Sequence, residues 1–371
     1  RTDARVCNLS YLQTDWYIDQ MRRPAYDSPS LPISWTRLQY VTGTREGIPV
    51  QPDALQQVID YYKDSPEDLK QMLGDNPYEL KNIIRHWVLN DNPDLQIFPT
   101  DSIVVTVDKE AVKRSGMMIA ADSIPDVMHI SLKGKRAIYK SEMMMLEMIS
   151  QANWERPLYM STTVGPDNYG HLGDNFVQEG LACRITPFDT KQSGRTIDSE
   201  RMYNNMMNKF KYGGLKENPD IYLDETVIRM CYTHRRLFNQ LAQQLLKEGQ
   251  KDKALKVLQR AEEEIPGSIV PHEAFYGHSL ELADAWLALG HKAEAEKLLN
   301  AVGQNAKEYI EWYLSLNTQR LLQSSRECLM QIYILNDIAK TWEPIDKKKA
   351  ETYRMEVNNY ASRCHQRGMS L

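Results

Sequence analysis

The rhythm of hydrophobic and polar positions changes once along this chain, near residue 197. Before that point, short runs with strand-like alternation are interleaved with helix-like segments. After it, apolar residues recur at intervals of three and four to the end. "SIVVTVD" (102–108) is rich in β-branched residues and predicts a strand, and "VMHISLKG" (127–134) predicts a weaker one. "RPLYMSTTV" (156–164) predicts a third strand, and "HLGDNFVQEGLACRITPF" (171–188) a helix followed by a short strand. The opening "RTDARVCNLSYLQTDWY" sets Ala4, Val6, Asn8 and Ser10 against Arg5, Cys7, Leu9 and Tyr11, a two-sided run that predicts a strand. Thr14 or Asp15 then reads as the N-cap of a helix carrying Trp16, Tyr17 and Met21.

"RRPAYDSPSLPISW" (22–35) is an extended, Pro-rich connection. Residues 51–91 form a run of helices, each opened by a turn signal at Pro52-Asp53, Ser65-Pro66 or Asn76-Pro77. "YKSEMMMLEMISQANW" (139–154) predicts a helix with Met143, Met144 and Ile149 buried. Strands separated by helices point to an α/β N-terminal domain over 1–196, built on a partly parallel sheet.

Residues 197–371 read as all-helical, with tetratricopeptide-like repeats clearest at 236–266 and 278–303. In the first, Phe238, Leu241 and Leu245 form the packing face of one helix and Gly249 makes the turn. Ala254, Leu258 and Ala261 face it from the second helix, and Pro266 closes the unit. Leu282, Trp286, Gly290, Ala295 and Leu299 repeat the pattern. The turn glycines are 290 − 249 = 41 residues apart, against the usual 34, so "GSIVPHEAF" (267–275) is an insertion. Further degenerate helices follow. The stripe Tyr309, Trp312, Tyr313, Leu316 has helical spacing and is expected to pack inside the repeats.

Composition narrows the function classes. With 45 basic and 50 acidic residues the net charge is −5, and no basic block with interleaved aromatics suggests a nucleic-acid partner. No apolar run approaches the roughly 20 residues of a membrane helix. The five cysteines stand singly without a CxxC, which favours free buried thiols over a zinc ribbon or redox pair. The sequon Asn8-Leu9-Ser10 falls within the expected first strand, where folding would hide it.

Candidate chemistry is sparse. The chain has no GxGxxG after a strand, no GxxxxGK[ST], no HExxH and no GxSxG, so no catalytic residue and no metal site are assigned. "PHEAFYGH" gathers His272, Glu273 and His278, whose packing or capping is favoured over metal binding. His365 and Cys364 fall in a tail expected to be loosely ordered. The most site-like stretch is "STTVGPDNYGHLGDN" (161–175), beyond the third strand. Its Thr162, Thr163, Asp167, Asn168, Tyr169, His171 and Asp174 either bind a polar ligand such as a sugar or simply belong to a solvated turn. The repeats offer a groove for an extended polypeptide. Asn239, Gln243, Leu280 and Asp284 stand where chaperone-binding repeats carry a carboxylate clamp, and they do not form one; the polypeptide is expected to lie along the groove near Asn239, Gln243 and Asp284.

"RTDARVCNLSYLQTDWYIDQM", "NWERPLYMSTTV", "VQEGLACRITPF" and "MYNNMMNKFKYGGL" together resemble the C-terminal soluble region of a multi-spanning membrane protein family common in Bacteroidetes. That family, formerly a domain of unknown function, is related to GT-C glycosyltransferases and protein O-mannosyltransferases. The resemblance implies that the chain continues upstream of Arg1 into a membrane-embedded region holding the catalytic acid and a lipid-linked sugar donor. It implies no catalytic role and no cofactor for residues of this fragment. The expectation is a non-catalytic region on the periplasmic side of the bacterial inner membrane, supporting acceptor-protein binding. The rival from another class is a repeat scaffold for envelope assembly with no role in sugar transfer.

Overall fold

The structure, a computed structural model, describes residues 3–369, in two compact units that meet in sequence between Asp198 and Ser199. In the first unit, a 3-10 turn at Leu9–Gln13 precedes helix α1 (Asp15–Met21), which starts after Thr14. The extended segment that follows buries Leu31, Ile33 and Trp35 and leads to α2 (Arg37–Tyr40). After strand β1 (Gly47–Pro49) come α3 (Ala54–Tyr61), α4 (Pro66–Leu73) and α5 (Leu80–Ile83), the last extended by one π turn through Val88. Pro66 occupies the first turn of α4, where its missing N–H costs nothing.

Strand β2 (Ser102–Thr106), α6 (Lys109–Arg114), β3 (Val127–Ser131) and β4 (Ala137–Tyr139) lead into α7 (Lys140–Ala152). Met143 to Ile149 of α7 are all buried, so this helix is the spine of the first core. Strands β5 (Tyr159–Ser161), β6 (Phe176–Gln178) and β7 (Ala182–Ile185), then α8 (Thr190–Ser193), complete the unit.

The expected partly parallel sheet is not what forms. Three small antiparallel sheets do: β1 with β4, β2 with β3 (Val104 opposite His129), and β5-β7-β6. Parallel contact among the described residues is confined to isolated bridges such as Val50 to Phe98 and Glu79 to Val104. Strands of three to five residues are too short for a continuous crossover layer. Within 171–188 the expected short strand forms as β7, but the helix expected before it does not, and β6 pairs with β7 in a hairpin instead. Gly180, at φ +136°, makes its turn, and Phe176, Val177 and Ile185 supply the strand-forming residues.

The opening strand is also absent. Its two faces mix apolar with polar residues, so neither can be buried whole: Val6 is 87% exposed, while the inward-facing Leu12 belongs to the 3-10 turn. Asn8 is therefore exposed rather than hidden in a sheet. Its side chain accepts from Ser10 N and caps the turn.

The second unit is helical throughout. It comprises α9 (Ser199–Asn204) with a π turn to Lys209, α10 (Glu225–Lys247), α11 (Lys251–Glu264), α12 (Ser279–Ala288), α13 (Lys292–Ser315), α14 (Thr318–Gln323), α15 (Ser325–Trp342) and α16 (Lys347–Gln366). Helices α10 and α11 form one hairpin, α12 and α13 the next. Gly249 (φ +74°) and Gly290 (φ +83°) supply the left-handed turns between them. Phe238, Leu241, Leu245, Ala254, Leu258, Ala261, Leu282, Trp286, Ala295 and Leu299 are all buried.

Two expectations fail here. Tyr309 and Trp312 are 47% and 54% exposed, because α13 turns Val302, Ala306, Ile310 and Leu314, spaced by four, into the core instead. The expected loose tail is the last turn of α16, with Cys364 fully buried.

Candidate functional site

The loop between β5 and β6 places its residues differently from one another. Thr162 is fixed to Leu181, its N–H and hydroxyl both donating to that carbonyl at 3.1 Å. Tyr169 packs edge-on against Phe176 with ring centres 4.9 Å apart, on the border of the core. Thr163, Asp167, Asn168, His171 and Asp174 are exposed. The Thr163 and Ser161 hydroxyls lie 2.8 Å apart, and the Asp174 carbonyl accepts from Thr190 Oγ1 at 2.8 Å. His171 adopts φ +65°, a conformation uncommon for a residue with a Cβ. The seven residues thus divide into two that anchor the loop and five that face outward.

Beneath this region lies a buried polar cluster that the sequence does not signal. Arg184 is 1% exposed, donates to Ser115 O at 3.2 Å and lies 3.9 Å from Glu179 Oε1. Tyr159 donates to Glu179 Oε2 at 2.7 Å, and the guanidinium lies 5.9 Å from the Tyr159 ring. The adjoining cavity, lined by Met117, Trp154 and Arg184 among others, measures about 20 Å³. That admits one water and no substrate, so the cluster positions β5 and β7. A wider open cleft of about 390 Å³ lies along α1, with Arg5, Trp16, Asp19 and Arg23 on its walls. There Arg37 and Tyr40 engage Asp19, and the hydrogen bond from Tyr40 leads the lowering of its carboxyl pKa.

In the second unit, α10 packs against α12, and the seam carries the other predicted residues. Asn239 and Gln243 share a face of α10, four residues apart. Gln243 Nε2 donates to Glu281 O across the seam at 2.9 Å. Asn239 is 5% exposed, and its Oδ1 has no hydrogen-bond partner. Asp284 lies exposed on α12, one turn beyond Glu281. Desolvation, then the charge of Glu281, pushes the Asp284 carboxyl up, whereas the hydrogen bond from His278 holds Glu281 down. The seam thus holds one buried amide, Asn239, and one partly exposed amide tied to Glu281, while Glu281 and Asp284 form an exposed acidic edge suited to the N–H groups of an extended chain or to a basic side chain.

The insertion before α12 is organised by Arg235, 1% exposed, which sequence reading passed over. Its guanidinium donates to the carbonyls of Ile265 (3.0 Å), Val270 (2.8 Å) and Pro271 (3.0 Å). The three residues of "PHEAFYGH" diverge. His272 lies between Glu262 (3.6 Å) and Ser279 (3.4 Å), Glu273 accepts from Phe275 N at 2.8 Å and from Gly277 N, and His278 meets Glu281 at 3.1 Å. No group of three or more His, Cys, Asp or Glu among the described residues is arranged to hold a metal ion. No helix among them is long and apolar enough to cross a membrane.

No curated protein and no solved structure gives a significant match to this sequence. A family model does, over residues 1–205, which takes in the loop, the Arg184 cluster and the start of the helical unit. That is more than half of the 371 residues, and the chain belongs to the TMEM260-associated domain 2 family.

Proposed function

We propose that this chain is a non-catalytic periplasmic region of a GT-C-like membrane protein glycosyltransferase, and that it holds the acceptor polypeptide for a membrane-embedded region of the same protein. The family membership supports the transferase context, since the family is named for its association with TMEM260. The observation that carries the acceptor role is the α10–α12 seam, where the partly exposed Gln243 bonds Glu281 across the two helices and Asp284 lies exposed on α12 one turn further on. In this reading the helical hairpins act as tetratricopeptide-like units. The outward-facing Asp167, Asn168 and His171 line the route to the transferase centre, whose donor is a lipid-linked sugar.

The test uses the full-length parent protein. Gln243→Ala with Asp284→Ala, which alter one exposed and one partly exposed residue, should reduce glycan transfer to protein acceptors at least several-fold through KM. Asp167→Ala with His171→Ala should lower transfer without weakening acceptor binding. Unchanged transfer in both double variants, with folding intact by circular dichroism, would sink the proposal. Loss of envelope partners with glycans unaltered would favour an assembly scaffold in its place.

A further inference from the structure

The second unit ends in a helical hairpin whose two arms are tied by the chain at one end only. Helices α15 and α16 are joined by the short turn Glu343–Asp346, and α15 runs back from Trp342 toward its start at Ser325. At the opposite, open end, Cys328 in the first turn of α15 meets Cys364 in the last turn of α16. The two Sγ atoms are 3.9 Å apart, and both residues are fully buried. The other three thiols have different surroundings: Cys7 lies by Tyr17, Cys183 by Glu179 and Cys231 by Arg235.

From this geometry we infer that Cys328 and Cys364 are a disulfide site, closing the open end of the α15–α16 hairpin in an oxidising compartment. Closing a 3.9 Å separation to the roughly 2 Å of a bond asks for rotation of two unbranched side chains rather than a new fold. The arms are already registered by burial of Ile332, Leu335, Ile338, Ala350, Tyr353 and Tyr360. Arg363, next to Cys364, clamps Glu311 of α13 through two bonds of 2.6 and 2.7 Å, which fixes the last turn of α16 where the thiol is presented.

The chemistry is thiol–disulfide exchange, and the oxidant is an external disulfide, small-molecule or protein. One cysteine thiolate attacks that disulfide, forming a mixed disulfide and releasing the first donor thiol. The second cysteine thiolate attacks the protein sulfur of the mixed disulfide and expels the second donor thiol. The pair loses two electrons and two protons, and the donor disulfide becomes two thiols. Burial pushes the Cys328 thiol up to about 12, and it raises Cys364 as well. Exchange is therefore slow once the helices have packed, and the bond forms while the hairpin is still open during folding.

The experiment refolds the full chain in buffers of graded oxidised-to-reduced glutathione ratio, quenches in acid, and alkylates remaining thiols under denaturing conditions. Peptide mass spectrometry should then show Cys328 and Cys364 joined, with Cys7, Cys183 and Cys231 alkylated. The oxidised protein should melt several degrees above the reduced one. Cys328→Ser and Cys364→Ser should each abolish the cross-linked peptide and the shift in melting temperature. Because the thiols meet the oxidant in the unfolded chain, restricted access does not explain a negative result. Five alkylatable thiols at the most oxidising ratio would overturn the inference, as would pairing with any of the other three cysteines.

Discussion

The two units solve the same problem, holding short elements in place, by different means. In the first, buried polar side chains find partners far away in sequence. Fully buried Glu147 accepts from Ser34 N at 2.7 Å and from its hydroxyl at 2.6 Å, across 113 residues. Lys140, also buried, reaches Glu46 Oε1 at 2.6 Å across 94. In the second unit, helices pack on their neighbours, and the buried polar anchor Arg235 reaches carbonyls 30 to 36 residues away. Where strands are too short to secure one another, individual side chains fix the arrangement. Where helices are long, a repeating apolar stripe suffices.

The strongest challenge to this contrast is truncation in each core. Trp35→Ala in the first unit and Phe238→Ala in the second, both at fully buried positions, should each cost about 3–5 kcal/mol. Hydrogen exchange should show lost protection in β2 and β3 for the first and in α10 and α11 for the second. Equal cost with different local reach is the expected result.

Next in size is Arg235→Met, which leaves three inward carbonyls without their charged donor and should cost about 2–3 kcal/mol in denaturant titration. Proteolysis should then begin between Pro266 and His278.

Glu46→Gln tests the first unit's polar anchors. It leaves the Lys140 ammonium buried without a carboxylate. About 2 kcal/mol is expected rather than more, because Glu46 itself is half exposed and screened by water. Lys140→Met, which replaces the charge with an apolar chain, should cost less. Acid gives the same interaction a second reading. Burial opposes ionisation of Glu46, but the hydrogen bond and charge of Lys140 with the Gly43 N–H outweigh it, so the carboxyl titrates below its ordinary 4.5. Its stabilising contribution is therefore complete above about pH 4.5 and lost as pH falls through the lowered value. The difference in melting temperature between the parent and Glu46→Gln should shrink over that range. A constant difference would remove the ion pair from the account.

The smallest effect sharpens the helical side. Gly249→Ala and Gly290→Ala meet no neighbouring atoms, so their cost, about 1 kcal/mol each, comes from backbone conformation alone. A cost of 3 kcal/mol would mean that the turns carry packing as well.

This contrast also explains which parts of the molecule were legible in the sequence. The 3.6-residue period in "LFNQLAQQLL" and the glycines that interrupt it are local signals, and the helices and their buried faces followed from them. The strand at 102–106 and the methionine-rich α7 were legible for the same reason. The pairing of β2 with β3 and the Ser34–Glu147 contact depend on partners that no window of ten residues contains. Among site residues, Gln243 could be placed on a helix face, but its bond to Glu281 could not. Tyr169 read as a polar loop residue because a tyrosine in a Gly/Asn-rich stretch gives no sign that its ring borders a core. Arg184 and Arg235 were passed over because a lone arginine in sequence reads as surface.

Arg235 has a further consequence for how this protein can vary. Its guanidinium fixes Ile265, Val270 and Pro271 at set distances from α10, so the segment entering α12 is measured off against the preceding hairpin. A residue added or deleted between Ile265 and Pro271 cannot be absorbed by sliding along the helix. It must either bulge outward or release the arginine. The insertion is thus a gauge block, and its length sets where α12 begins relative to α10.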